Sequence, residues 1–175
     1  MKDVMLDFET LGTNVNAPVV QIGACYFDRQ TGEIGKTLKL NVSLSSMVKG
    51  GAKIDGETVE WWLKQSEAAR KSITADPKEN DLNAFILLNE FLGSAKNIWS
   101  HATFDFVILT ETLRRLNIKP MFHYKAAKDI RTLTDLAKIS LTDQNFIREG
   151  VHHDALEDCK FQVKYCVAAF QALRK

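Results

Sequence analysis

Residues 4–10 read Val4-Met5-Leu6-Asp7-Phe8-Glu9-Thr10. The apolar run from Val4 to Phe8 has strand character, and alternate side chains of a strand share a face. Val4, Leu6 and Phe8 therefore point one way, and Asp7 and Glu9 the other. A second apolar run, Val19 to Phe27 (VVQIGACYF), follows with Pro18 at its entrance. From Lys36 to Leu44, Leu38, Leu40, Val42 and Leu44 alternate with polar residues, the period of two that marks a half-buried strand. Gln30-Thr31-Gly32 supplies a turn between the second and third runs. Three consecutive strands with short connections predict an antiparallel meander.

Downstream the pattern changes. Thr58–Gln65 and Ser66–Ile73 are predicted helical, the first carrying Trp61 and Trp62. Asp81–Leu92 is a third helix, with Leu82, Phe85, Ile86, Asn89 and Leu92 near one face. Asn97–Ser100 is a short strand, Phe106–Leu116 a helix, Met121–Ile130 the place for another strand, and Arg131–Lys138 a short helix. Asp154–Leu173 has apolar positions at 155, 159, 163, 166, 170 and 173, the spacing of an amphipathic helix. Strands first, then helices alternating with strands, predict a mixed α/β sheet with helices packed on it.

The 175 residues fit one domain spanning 1–175. Hydrophobic residues are 45% and charged residues 26%, an ordinary soluble composition. Three cysteines (Cys25, Cys159, Cys166) are an odd, sparse set, not a disulfide framework. Cys159 and Cys166 stand roughly 10 Å apart along one helix, too far to bridge. A reduced, cytoplasmic location is the expectation, with no membrane partner, since no apolar run approaches the roughly 18 residues of a span. A net charge of +1 is not the footprint of a strong non-specific nucleic-acid binder. The stretch from Leu113 to Lys138 nevertheless holds seven Lys/Arg against two Asp, a local +5. It reads as a backbone-tracking patch or as a solvated face.

Three short constellations carry chemistry. Asp7 and Glu9 lie roughly 6–7 Å apart along a strand, a spacing that can serve two metal ions about 4 Å apart; a strand running out into polar residues looks the same. In Trp99-Ser100-His101-Ala102-Thr103-Phe104-Asp105 an apolar strand ends and a helix begins, and Asp105 could simply cap that helix. In His153-Asp154-Ala155-Leu156-Glu157-Asp158, His153 and Asp158 are about 140° apart if both are helical. Placing His153 on the entry loop and Asp158 one turn into the helix lets both face one site, although acidic residues here also suit a helix dipole. The ordered set is harder to obtain by accident than any one piece.

On these motifs the chain resembles the DnaQ-like, DEDDh exonuclease family, and within it the small phage- and prophage-encoded 3′–5′ exonucleases. LDFETLGT, NAPVVQIGA, DGETVEWWLKQSEAAR, ATFDFVIL and DIRTL carry the likeness across nearly the whole chain. The resemblance implies an RNase H-like fold, a five-stranded mixed sheet flanked by helices. It implies that Asp7, Glu9, Asp105 and Asp158 are ligands of two divalent ions, Mg²⁺ or Mn²⁺, and that His153 is the general base. The expected reaction is removal of nucleoside 5′-monophosphates from the 3′ end of DNA, or of RNA, single-stranded by preference. Thr10, Leu11, Trp61 and Phe104 are the expected substrate contacts, Trp61 as a stacking surface and Leu11 either as a wedge against the terminal base or as an ordinary turn hydrophobe. Where relatives place Asn or Gly-Asn ahead of Ala-x-Phe-Asp, this chain has Ser100 and His101, so that Asn contact is not carried over.

Trp61 and Trp62 point about 100° apart on a helix, one toward the core. His152 and His123 read as surface residues. Asp129 and Arg131 are expected to form a supporting salt bridge or hydrogen bond. The rival functions are a non-catalytic nucleic-acid-binding module, an RNase H-type endonuclease and a polymerase-docked proofreading subunit. Oligomeric state is open, a homodimer among its options.

Overall fold

The computed structural model describes residues 1–140 and 146–174. Strands β1 (Asp3–Thr10), β2 (Val19–Phe27) and β3 (Ile34–Val42) form the antiparallel meander. Helices α1 (Leu44–Lys49), α2 (Gly56–Leu63) and α3 (Glu67–Thr74) follow. Then come β4 (Lys78–Glu79), α4 (Asp81–Leu92), β5 (Asn97–Ser100) and α5 (Asp105–Arg115). A 3-10 turn at Tyr124–Ala126 leads into β6 (Ala127–Asp129), α6 (Ile130–Leu136) and α7 (Ala155–Ala172). The sheet order is β4-β3-β2-β1-β5-β6, with β5 parallel to β1, β6 parallel to β5 and β4 parallel to β3.

This is the expected mixed α/β architecture with one strand more. The sixth is the two-residue edge strand β4, too short for any periodicity to announce. Two other local readings change. Leu44 belongs to α1, where Ser43 accepts a hydrogen bond from Ser46 N and ends the strand. Of Met121–Ile130 only Ala127–Asp129 pairs, because the residues ahead of it close a 3-10 turn.

The sheet is covered on both faces. Val4, Leu6, Phe8, Ile22 and Ala24 pack with Phe85, Leu88 and Leu92 of α4 and Ile108, Leu109 and Leu113 of α5. On α4, Leu82 and Ile86 are exposed and Ala84 and Leu88 are buried instead, a stripe rotated from the expected one. The opposite face carries Met5, Cys25 and Phe27 against Cys159, Val163 and Cys166 of α7 and Ile130 and Leu133 of α6. All three cysteines are free and buried. Among the described residues no helix is long and apolar enough to cross a membrane.

Asp7 and Glu9 fall on the α7 face by strand alternation. That face is closed by a close approach: a Cβ at Gly23 would lie 2.2 Å from both the carbonyl carbon and oxygen of Ala155. Gln21 completes the seat. Its Oε1 accepts from Ala155 N at 2.7 Å, and its Nε2 donates to Asn41 and Ser72. Gly23→Ala is therefore expected to force α7 off the sheet, since the obstruction is backbone. The expected cost is at least the roughly 1–3 kcal/mol of ordinary overpacking, read as a lowered urea midpoint.

Candidate active site at the carboxyl end of the central strand

Asp7, Glu9, Asp105 and Asp158 are brought together, each no more than 8% exposed. Metal-ligating atoms of Asp7, Glu9 and Asp158 all lie within 4.8 Å of one another, and so do those of Asp7, His101 and Asp105. Asp7 is common to these two groups, and a third joins Asp158 to His152 and His153. Asp105 does not cap α5. Phe104 stands at the cap position without a side-chain bond. The Asp105 carboxylate instead accepts from Phe8 N and His101 N, each at 3.1 Å, tying β1 to the β5–α5 turn.

The third constellation has the expected geometry. His153 lies on the entry loop in the left-handed region (φ 63°), and Asp158 is inside the first turn of α7. The cap is Asp154, held by Lys39 and by Ser72 Oγ. The His153 ring stacks on His152 with centroids 3.8 Å apart and meets Trp61 edge-on at 4.8 Å. His152 is exposed as expected, but its contact with the His153 ring was not foreseen.

Two more side chains reach the carboxylates. Gln162 Nε2 donates to Asp7 Oδ1 at 2.7 Å, and its Oε1 is buried without a partner. Arg148 pairs with Asp158, its guanidinium 4.2 Å over the Phe161 ring. Gln162 was legible in principle: it follows Asp158 by four residues and so shares its helix face. Arg148 lies on a loop, where no periodicity applies. Asp129 makes the supporting hydrogen bonds and not a bridge to Arg131: it accepts from Ala102 N and, as the cap of α6, from Thr132 N and Oγ1. Of the seven basic residues between 113 and 138, Arg131 alone lines the acidic hollow among the described residues.

Burial dominates the electrostatics. It drives the Asp7 carboxyl well above its ordinary value, with repulsion from Asp105, Glu9 and Asp158 adding to it. Burial and then Asp158 and Asp105 push Glu9 to about 8. Burial lifts Asp105 to about 7 against its backbone hydrogen bonds, and it raises Asp158 against the pull of Arg148. Burial, His152 and Arg148 hold His153 down to about 4, and burial and Arg131 do the same for His101. The 4.0 Å approach of His153 Nδ1 to Glu9 Oε1 is therefore no ion pair near neutral pH, where the ring is neutral and the carboxyl largely holds its proton. Converging oxygen donors that keep protons for want of a cation suit a hard divalent ion, which would displace those protons. The residues present fit such ions.

Beside the acidic hollow of about 300 Å³ lies a second cavity of about 440 Å³. Thr10, Trp61, Trp62 and Phe104 line it, and the two share Phe8, Glu9 and Phe104. Trp62 is the buried member of the pair, its Nε1 donating to Thr10 O at 2.9 Å, and Trp61 is 43% exposed. Leu11 is not in this wall. It packs instead with Val20, Trp62, Ala69 and Ile73, because the chain turns inward after Thr10.

Residues 2–170 match the family model of the 3′-5′ exoribonuclease Rv2179c-like domain. The chain is 30% identical to the exodeoxyribonuclease of Enterobacteria phage T4, over 91% of this chain and 85% of that protein. It superposes on the nuclease domain of 3′hExo, a DEDDh family member bound to rAMP, with a TM-score of 0.66, 12% identity and coverage of 97% and 91%. The E. coli exonuclease I structure with a dT13 oligonucleotide gives 0.66 at 13% identity over 95% of this chain. This chain spans only 40% of that exonuclease I chain. At such identities these structural likenesses are of fold.

The shifted carboxyls set a pH dependence for the metal-free protein. Unfolded, Glu9 loses its proton above its ordinary 4.5; folded, it keeps it to about 8, and Asp105 behaves alike up to about 7. The folded state thus holds extra protons on Glu9, Asp105 and Asp7 across that window. His153 and His101 act the opposite way below their ordinary 6.5, but the three carboxyls outweigh the two imidazoles, and stability falls as pH rises through the window. Asp154 and Asp129 are shifted downward, so their contributions change below the window. Melting temperature without metal is expected to be lower at pH 8 than at pH 5. Saturating Mg²⁺ or Mn²⁺ is expected to narrow or reverse the gap. Equal melting temperatures with and without metal at pH 8 would contradict this account.

Proposed function

Because the chain belongs to the 3′-5′ exoribonuclease Rv2179c-like domain family, we propose that its acidic site releases nucleoside 5′-monophosphates from the 3′ end of a single strand. The observation that carries this reading is the convergence of four buried carboxylates, with Asp7 shared between the group with Glu9 and Asp158 and the group with Asp105. Asp7, Glu9, Asp105 and Asp158 would hold two divalent ions, Mg²⁺ or Mn²⁺. Bound there, such ions lower the pKa of the attacking water and stabilise the leaving 3′ oxygen.

The protein's own groups do the rest. His153, neutral at working pH, takes the water's proton as the water attacks phosphorus and the bond to the 3′ oxygen breaks. Its ring is braced by His152 and Trp61. Gln162 fixes the Asp7 carboxylate. The aromatic cavity falls within the roughly 300–1,000 Å³ of small-ligand sites, and Trp61, Phe104 and Thr10 receive the terminal nucleotide there. DNA is the first reading, favoured by the phage exodeoxyribonuclease relative. RNA is the second, favoured by the family model.

End-labelled single-stranded DNA, duplex DNA and RNA are compared in one assay. The expected result is shortening from the 3′ end, fastest on single-stranded DNA, abolished by EDTA and by a blocked 3′ terminus. Full activity in EDTA, or cutting within a circular strand, would overturn the reading.

Two substitutions separate proton transfer from metal holding. His153→Ala is expected to lose turnover by about 10²–10⁴-fold, the contribution of a positioned base, while titrating metal like the wild type. Asp7→Ala is expected to weaken metal binding itself. Near-full turnover of His153→Ala at neutral pH would remove His153 from the mechanism.

A further inference from the structure

The four carboxylates do not exhaust the donors facing the acidic hollow. His101 also lines it, together with Asp105 and Arg131, and its ring shares with Asp7 and Asp105 a set of ligating atoms all within 4.8 Å. The residue is anchored through its backbone. Its amide donates to Asp105 Oδ2 at 3.1 Å, and its carbonyl accepts from Phe104 N at 2.7 Å and from Asp105 N at 3.0 Å. The next amide, of Ala102, is held at 3.0 Å by Asp129, whose carboxylate is shared with the start of α6. Four hydrogen bonds thus deliver the ring to Asp7 and Asp105. Among the described residues, no hydrogen bond occupies a nitrogen of that ring.

We propose that His101 is a nitrogen ligand to the divalent ion held between Asp7 and Asp105, so that this half of the site takes Mn²⁺ in preference to Mg²⁺. The inference rests on the metal reading of the proposed function and adds one donor to it. Donors around one octahedral ion at about 2.1 Å lie roughly 3–4.2 Å apart, so the set closes by small side-chain rotations on a fixed backbone. Mn²⁺ shares the oxygen ligands of Mg²⁺ but, as a first-row transition ion, accepts an imidazole more readily, whereas Mg²⁺ dehydrates reluctantly and retains its waters. Ligating histidines commonly present their second nitrogen to a carboxylate, and Asp129 is the acidic group on the adjoining turn. Arg131 opposes a cation here, but it is exposed, so water screens its charge.

Pulsed electron paramagnetic resonance of the Mn²⁺-loaded full chain reads the bond directly. Wild type and His153→Asn are expected to show nitrogen modulation from a bound imidazole, and His101→Asn to lose it. Labelling histidine with ¹⁵N in the unsubstituted protein is expected to change the modulation frequency, which frees the test from any folding defect of the variant. By calorimetry, His101→Asn is expected to weaken Mn²⁺ binding by about tenfold or more while moving Mg²⁺ binding by less than about threefold. Mn²⁺ bound without nitrogen modulation in the wild type overturns the assignment and leaves the carboxylate reading intact. Modulation that persists in His101→Asn and disappears in His153→Asn or His152→Asn overturns it in favour of the set formed by His152, His153 and Asp158. Failure of the wild type to bind either ion overturns both this inference and the metal reading beneath it.

Discussion

Helix α7 can rest on the sheet only because position 23 carries no side chain. Gly23 pairs with Asp7 across β1 and β2, and Gln21 pairs with Glu9. The two residues that receive the start of α7 are therefore the sheet partners of the two acids on β1. The Ala155 backbone fills the space a Cβ would occupy, and the Gln21 amide satisfies the first free N–H of the helix. A helix so seated has little freedom to slide. Asp158, one turn in, and Gln162, two turns in, fall over Asp7, and the loop before it delivers His153 to Glu9. One close approach thus fixes both the position of the last helix and the separation of the carboxylates.

The same molecule treats acidic side chains in two opposite ways. Asp154 is paired with Lys39 and bonded by Ser72, and Asp129 accepts from two amides and a hydroxyl. Both are held below their ordinary value, as carboxylates with donors around them should be. Asp7, Glu9 and Asp105 are buried more deeply than the half-buried Asp129; no cationic side chain pairs with them among the described residues, and burial makes them rise. Only Asp158 has an arginine, and that arginine comes from a loop. Acids that hold the frame are neutralised by the frame. Acids that line the hollow are left for something from outside.

Much of this was written locally in the chain. Alternation along Val4–Phe8 placed Asp7 and Glu9 on one face, and the spacing from Ala155 to Cys166 gave α7 its buried stripe. The loop position of His153 followed from the angle between it and Asp158. What escaped were features set by tertiary approach. The two-residue β4 exists because β3 offers an edge. The Asp105 carboxylate leaves the cap position because Phe8 N, 97 residues away in sequence, lies within reach. Arg148 pairs with Asp158 across a loop that no periodic signal describes. Distance in sequence hid the Asp105 and β4 contacts, and the lack of periodic pattern in a loop hid that of Arg148.

The aromatic cavity and the acidic hollow are not independent compartments. They share the wall formed by Phe8, Glu9 and Phe104, and α2 is joined to the end of β1 by the bond from Trp62 to Thr10. Trp61, on the same helix, faces the cavity on one side and the His153 ring on the other. A group seated against Trp61 therefore touches the side chain that braces the proposed base. Because His153 occupies a left-handed backbone conformation that few non-glycine residues adopt, its ring depends on such neighbours for its direction. The cavity and the base are thereby linked through α2, whose Trp61 and Trp62 both line the cavity and both meet the His153 ring edge-on.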